Sequence, residues 1–148
     1  MPLHFAYGSN MDAAAMARRC PRARLLGPAR LAGWRFALMP SGYATIVPDP
    51  RHSVHGALWD IAVADMAALD RYEQIERGLY VKRILRALRP PAGAVQALAY
   101  IGARPELGAA PRHYLEEIID AARTLASPTA YLCYLEALAA ARKKGVTA

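Results

Sequence analysis

The 148-residue chain has little cysteine and no long apolar run. Cys20 and Cys133 lie far apart, match no metal-binding or redox spacing, and have no neighbouring histidine or other base that would activate a thiol. Cys133 falls in an apolar helical pattern, so we expect it to be a core residue. No apolar segment approaches the roughly 18 residues that a membrane-spanning helix needs, so we expect no membrane partner. The first residues lack the basic and apolar regions of a signal peptide, which favours a soluble cytoplasmic protein.

Acidic residues are scarce, particularly in the first part of the chain. Lysine and arginine number 19 against 12 aspartates and glutamates, and up to Trp59 the only acids are Asp12 and Asp49. A positive surplus suits either a nucleic acid or a small acidic substrate. Because no helix-turn-helix, zinc-finger or RNA-recognition signature is present, we expect no nucleic-acid partner and favour the small acidic molecule.

Several familiar catalytic signatures are also missing. Ser9 does not stand in a GxSxG sequence, and no glycine-rich phosphate loop is present. The four histidines are scattered, so no metal site can be assembled from their spacing. We therefore expect chemistry that needs neither a metal nor a cofactor.

The order of predicted elements indicates an α+β domain. Apolar and alternating patterns predict roughly six or seven strands, at 3–7, 23–31 with a break at Gly27, 34–39, 43–47, 54–61, 80–88 and 95–101. Helical spacing predicts helices at 12–19, 63–72, 112–125 and from Ser127 onwards. Few helices are available to cover a flat sheet, so we expect one domain over 1–148, with a mixed curled β-sheet or small barrel flanked by helices, two of them C-terminal. Gly56 should allow a close approach to its strand.

The stretch Tyr7-Gly8-Ser9-Asn10 connects the first predicted strand to the first predicted helix. Glycine tolerates a positive φ, and serine and asparagine favour turns and helix caps, so a tight turn is expected here. A turn that leads into a helix N-terminus directs several backbone N–H groups at one point, which suits a carboxylate or a developing oxyanion. The alternative is an ordinary strand–helix connection that binds nothing.

A second stretch, at residues 69–80, contains the best candidate for acid–base chemistry. Glu73 lies where the short predicted helix ends, with a tyrosine directly before it and another at the next strand. Partial burial would raise its pKa from about 4.3 toward neutrality, the range of a general base. The alternative is a surface carboxylate paired with a nearby arginine. Glu76 is a weaker candidate, because Arg77 is its direct neighbour.

Taken in order, these stretches resemble the gamma-glutamylcyclotransferase-like family, which includes the AIG2-like proteins. The resemblance covers the chain from Phe5 to about Leu138, and rests on Tyr7-Gly8-Ser9-Asn10, Tyr43-Ala44-Thr45-Ile46, Val54-His55-Gly56-Ala57-Leu58-Trp59, and Leu69-Asp70 followed by Glu73 and Tyr80. It implies the gamma-glutamylcyclotransferase-like fold, with Tyr7, Gly8, Ser9 and Asn10 as one wall of the substrate pocket. It further implies Glu73 as the catalytic acid and base, and Tyr80 and Tyr114 as pocket tyrosines.

The resemblance also implies a reaction, the cyclisation of a γ-glutamyl amino acid or γ-glutamyl amine to 5-oxoproline with release of the amine. Gln74 stands where the family often has glycine, which leaves the shape of the loop and the substrate open. Asn10 differs from the leucine of the YGSL turn in the glutathione-specific branch. A non-catalytic module that binds a small acidic metabolite in the same pocket is the alternative, and the residues do not separate the two.

Overall fold

Five strands and four helices make up the part of the chain that the computed structural model describes, residues 2–73, 78–91, 93–103, 110 and 113–143. The elements in order are β1 (Leu3–Ala6), a 3₁₀ turn (Ser9–Met11), α1 (Ala13–Arg19), β2 (Arg24–Leu38), β3 (Ala44–Asp60), a second 3₁₀ turn (Val63–Asp65), α2 (Met66–Tyr72), β4 (Tyr80–Arg89), β5 (Gly93–Gly102), α3 (Tyr114–Thr124) and α4 (Thr129–Lys143). The weaker candidate Glu76 and the family-divergent Gln74 lie outside the described residues.

The strands close into a barrel in the order β1-β3-β2-β4-β5. Neighbouring strands are antiparallel, except that β1 meets β5 in parallel, with His4 opposite Leu98. Closure pairs the edges that an open sheet would expose. The predicted α+β class, with a small mixed barrel and two C-terminal helices, is confirmed.

β2 is one strand where the sequence pattern predicted two. The predicted strands 23–31 and 34–39 are continuous in β2. Gly27 and Gly33 have φ of 132° and 84°, and the β2–β3 register shifts at each of them. Each glycine therefore forms a bulge that bends the strand without ending it.

β3 is likewise longer than predicted. It joins the predicted strands 43–47 and 54–61 through the proline-containing stretch 48–50, which we had expected to end a strand. Pro48 pairs with Trp34 of β2, while β1 pairs with β3 only farther along its length. Proline is tolerated where a strand does not need its N–H for a second neighbour. The prediction of six or seven strands was wrong because bulges and edge prolines look like breaks.

β1 and β3 approach each other closely at Gly56, as predicted. A Cβ on Gly56 would lie 2.1 Å from the carbonyl oxygen of Ala6, far inside van der Waals contact. Only glycine therefore fits at this position, which lies next to the strand end that leads into the first turn.

The helices begin and end largely where local signals predicted. The carboxylate of Asp12 accepts a hydrogen bond from the backbone N–H of Ala15 at 3.0 Å and caps α1, which ends at Cys20. α3 packs against the first 3₁₀ turn and α4. One face of α3 is buried: Tyr114, Leu115, Ile118, Ile119 and Ala122. Within the described ranges, no helix is long and apolar enough to span a membrane.

Cys133 is exposed, which corrects the prediction that it is a core residue. α4 buries Tyr131 and Leu135, four residues apart and hence on one side of the helix. Cys133 lies midway between them and points the other way. Cys133 shares the apolar character of this helix but lies outside the stripe that contacts the core.

Candidate functional site

A cavity of about 100 Å³ lies where the end of β1 and the end of α2 meet the first residues of β3, β4 and α3. All seven candidate site residues from the sequence analysis line this cavity: Tyr7, Gly8, Ser9, Asn10, Glu73, Tyr80 and Tyr114. The remaining lining residues are His4, Phe5, Ala6, Tyr43, Ala44, Tyr72, Leu79 and Tyr100.

Backbone and indole hydrogen bonds hold the turn after β1. The N–H of Met11 donates to the carbonyl oxygen of Gly8 at 3.0 Å, and the indole N–H of Trp59 donates to the carbonyl oxygen of Asn10 at 2.9 Å. The N–H groups of Ser9 and Asn10 belong to the first turn of a 3₁₀ helix and therefore have no acceptor within it. The turn thus presents donors on a rigid backbone.

Gly8 contributes space rather than an unusual backbone angle. Its φ is −112°, so the positive φ expected for a glycine turn is not used. A Cβ here would lie 3.4 Å from the hydroxyl oxygen of Tyr114, an ordinary contact that fills part of the cavity. The missing side chain keeps this stretch of backbone open to the cavity.

The carboxyl group of Glu73 faces this turn from the C-terminal end of α2. Nδ2 of Asn10 donates a hydrogen bond to its Oε1 at 3.1 Å. Burial raises the pKa of Glu73 from 4.5 to about 7, against the opposing effects of the Arg19 cation and the Asn10 hydrogen bond, while the charge of Asp70 adds to the rise. No ion pair joins Glu73 to any of the arginines that the structure describes. A carboxyl group with this pKa gains and loses a proton near neutral pH.

Arg19, the last residue of α1, belongs to the same cluster and was not nominated from the sequence. Its Nη1 donates to Oγ of Ser9 at 3.2 Å and also to Oδ1 of Asn10. Its guanidinium carbon lies 3.4 Å from the centroid of the Tyr72 ring, and the Tyr72 hydroxyl is 2.8 Å from Oγ of Ser9. An arginine in the last turn of a helix is favourable at any surface, because it complements the helix dipole. Its place at the site was therefore not visible in the sequence.

Three of the cavity tyrosines, Tyr7, Tyr80 and Tyr114, have their hydroxyl groups bonded to backbone. The Tyr80 hydroxyl donates to the carbonyl oxygen of Ala44 at 2.7 Å, and the Tyr114 hydroxyl accepts from the N–H of Ala44 at 3.1 Å. The Tyr7 hydroxyl donates to the carbonyl oxygen of Tyr100. Burial raises the pKa of these three tyrosines and of Tyr100 above the ordinary value of 10, so they stay protonated at neutral pH.

More tyrosines line the cavity than the sequence predicted. Six of the chain's eight tyrosines line the cavity, among them Tyr43, Tyr72 and Tyr100, which were not nominated. The available signal was the excess of tyrosine over phenylalanine, eight against two. An aromatic wall with polar tips both desolvates a carboxyl group and offers hydrogen bonds.

A second layer of polar groups lies behind the carboxyl group. The Tyr100 hydroxyl donates to Oδ1 of Asp70 at 2.6 Å, and Nζ of Lys82 donates to Oδ2 at 2.9 Å. Nδ1 of His4 donates to the carbonyl oxygen of Leu98 at 3.0 Å, and burial lowers the pKa of His4 to about 4, so its ring is neutral. Across the described residues, no three histidine, cysteine, aspartate or glutamate side chains come together in a way that could hold a metal ion.

Comparisons with known proteins agree with this fold. Residues 4–119 match the family profile described as Gamma-glutamyl cyclotransferase, AIG2-like. The gamma-glutamylcyclotransferases of Homo sapiens and Bos taurus are 32% and 30% identical to the chain over 89 residues, which is 53% of this chain and 47% of each relative. The chain thus spans about half the length of the curated relatives it matches.

A solved structure described as a gamma-glutamyl cyclotransferase has the same fold. It superposes with a TM-score of 0.82 at 23% sequence identity, over 92% of this chain and 86% of that one. The family match contains the turn, Glu73, Tyr80 and the first residues of α3. The chain therefore belongs to the gamma-glutamyl cyclotransferase, AIG2-like family.

Proposed function

We propose that the protein cyclises the γ-glutamyl group of a γ-glutamyl amino acid or γ-glutamyl amine to 5-oxoproline and releases the amine. The observation that carries this proposal is the carboxyl group of Glu73, held 3.1 Å from the Asn10 amide at the cavity with a pKa of about 7. Family membership supports the same class of reaction.

The reaction requires little covalent participation from the protein. The substrate's own α-amino nitrogen attacks its γ-carbonyl carbon, a C–N bond closes the five-membered ring, and the original amide C–N bond breaks. Because the attack is intramolecular, a cavity that holds the substrate in a ring-closing conformation supplies much of the acceleration. The remaining tasks are to move protons and to stabilise the oxyanion of the tetrahedral intermediate.

Glu73 serves as both base and acid. The α-ammonium group must lose a proton before it can attack, and the leaving nitrogen must gain one before it departs. A carboxyl group with a pKa of about 7 is suited to accept the first proton and return it, since its two protonation states are comparably populated at neutral pH. The cavity tyrosines cannot serve as this base near neutral pH, because burial raises their pKa values.

The turn and two tyrosines orient the substrate. N–H groups of Ser9 and Asn10 hold either the oxyanion or the α-carboxylate of the substrate. The Tyr114 hydroxyl accepts from Ala44, so its own proton remains available to a substrate oxygen. Tyr80 donates its proton to the backbone and therefore shapes the cavity rather than donating to the substrate.

The decisive variant is Glu73→Gln, which keeps the shape of the side chain and removes its ability to accept a proton. We expect wild-type protein to release 5-oxoproline from at least one member of a panel of γ-glutamyl amino acids and γ-glutamyl amines. The variant should lose about 10²- to 10⁴-fold in kcat. Glu136→Gln, an exposed position on α4, makes the same chemical change away from the cavity and should keep full activity.

Two outcomes would contradict the proposal. Full turnover by Glu73→Gln, together with its loss in Glu76→Gln, would move the acid–base role to the other glutamate. Saturable binding of panel members by wild-type protein with no 5-oxoproline formed would favour a binding module. Thermal melting of each variant separates loss of chemistry from loss of folding.

A further inference from the structure

We propose that Arg19 is a positioning residue of this site, whose guanidinium group fixes the Asn10 amide so that its nitrogen, rather than its oxygen, faces Glu73. The catalytic consequence rests on the proposed function, whereas the orientation of the amide does not. The inference concerns three side chains from three different elements: the end of α1, the first 3₁₀ turn and the end of α2.

The chemistry of the two side chains determines the orientation. A guanidinium group carries only N–H donors, whereas an asparagine amide has one accepting and one donating end of nearly the same shape. Nη1 of Arg19 donates to Asn10, so the amide must present Oδ1 to it. Nδ2 is then turned the other way, where it lies 3.1 Å from Oε1 of Glu73. Without the cation, either end of the amide could face the carboxyl group.

Arg19 is itself held firmly enough to act in this way. Its guanidinium group lies flat against Tyr72, with 3.4 Å between the guanidinium carbon and the ring centroid, and Nη1 also bonds to Ser9. The N–H of Cys20 closes the last turn of α1 on the carbonyl oxygen of Met16, which fixes the backbone beside Arg19. Because the guanidinium group is planar, it can stack flat on the Tyr72 ring while Nη1 donates in the plane of the group, and the ammonium group of lysine cannot stack in this way.

The orientation matters for the proton that Glu73 carries. A donor on Oε1 stabilises the carboxylate form and leaves Oε2 to exchange the proton. Within the described part of the chain, the charged groups that act on Glu73 are Arg19 and Asp70. The tyrosines that interact electrostatically with it are Tyr7, Tyr72, Tyr80, Tyr100 and Tyr114. The tyrosines stay protonated and uncharged, so Arg19 is the cation and Asp70 the anion of this set. Arg19 therefore keeps part of Glu73 ionised at neutral pH despite its burial.

The test measures the titration of the Glu73 carboxyl group directly, which needs no substrate. Carbon NMR of glutamate-labelled protein, with Glu73→Gln to assign the signal, gives the midpoint in each variant. We expect Arg19→Gln to raise the midpoint above about 7, Arg19→Lys to raise it less, and Arg18→Gln, the exposed neighbour on α1, to leave it unchanged. With substrate, Arg19→Gln should lower kcat by about 10- to 100-fold, change KM little, and move the acidic limb of the pH profile upward.

The outcomes separate this inference from the proposed function. A folded Arg19→Gln protein whose Glu73 titration is unmoved overturns the inference, whether or not any γ-glutamyl compound is turned over. A shifted titration in a protein that turns over no panel member supports the positioning role and contradicts the proposed function. If Arg19→Gln fails to fold, Arg19→Lys carries the test. Wild-type titration and wild-type kcat in that variant show that the planar guanidinium group is not needed, and overturn the inference.

Discussion

Replacing Glu73 by glutamine should stabilise the folded protein above pH 7 and change its stability little near pH 4.5. The unfolded chain ionises this residue near its ordinary pKa of 4.5, whereas the folded protein holds the proton until about pH 7. Between these values the folded state binds more protons, so Glu73 contributes stability that is complete below pH 4.5 and is lost as the pH rises through 7. Glutamine has no charge to bury, so it contributes no comparable pH dependence to the free energy of unfolding.

The size of the effect follows from the two pKa values. Their difference corresponds to about 3 kcal/mol in the free energy of unfolding at pH 8, and the partial solvent exposure of Glu73 brings the expected value to about 2 kcal/mol. Because Asn10 can still donate to the amide oxygen of glutamine, the substitution removes the charge without leaving that donor unpaired. For a chain of this length, about 2 kcal/mol is a large fraction of the whole stability.

Urea denaturation followed by tryptophan fluorescence at pH 5, 6, 7 and 8 gives the free energy of unfolding for wild type and variant. The gap between them should widen from pH 5 to 7, with the steepest change near pH 6, and should level off above 7. Glu136→Gln serves as the control for the same change at an exposed site, and its gap should stay constant. If the free energies of unfolding of wild type and Glu73→Gln instead run parallel from pH 5 to 8, the carboxyl group is not desolvated and its pKa is not raised.

Three further predictions concern other parts of the molecule. Gly56→Ala should lower the free energy of unfolding by about 2 kcal/mol or more, because its Cβ would lie 2.1 Å from the carbonyl oxygen of Ala6; an unchanged urea midpoint would contradict this contact. Asp70→Asn should lower the pKa of Glu73 by less than about 1, since it removes a nearby negative charge, and an upward NMR titration would contradict the sign. Cys133 should react with iodoacetamide in the native protein while the buried cysteine reacts only after denaturation; peptide mass spectrometry of the alkylated protein decides.

The lengths of the strands show where sequence patterns stop being informative. A glycine that makes a bulge and a glycine that ends a strand have the same local signature, and they differ only in whether the partner strand continues beside them. β3 does continue beside β2 past Gly33, so the chain bends there and stays in the barrel. Cys133 shows a related limit: an apolar residue within a helical pattern can still lie outside the buried side of its helix.

At the site, the sequence by itself determined the local pieces. Turn-forming residues place a tight turn after β1, and the loss of helical spacing ends α2 near Glu73. These features depend on backbone preferences and hydrogen bonds within a few residues, which is why they could be predicted. The order of strands and helices also determined the fold class.

Only the tertiary structure decided which pieces meet. Asn10 and Glu73 are 63 positions apart, and their hydrogen bond exists because barrel closure brings the turn after β1 against the end of α2. The short helix α1 sets Arg19 on the far side of the Asn10 amide. Tyrosines from several elements of the closed barrel line the same cavity as the carboxyl group. The burial that raises the pKa of Glu73 is a property of those distant neighbours together, and no stretch of the chain carries it alone.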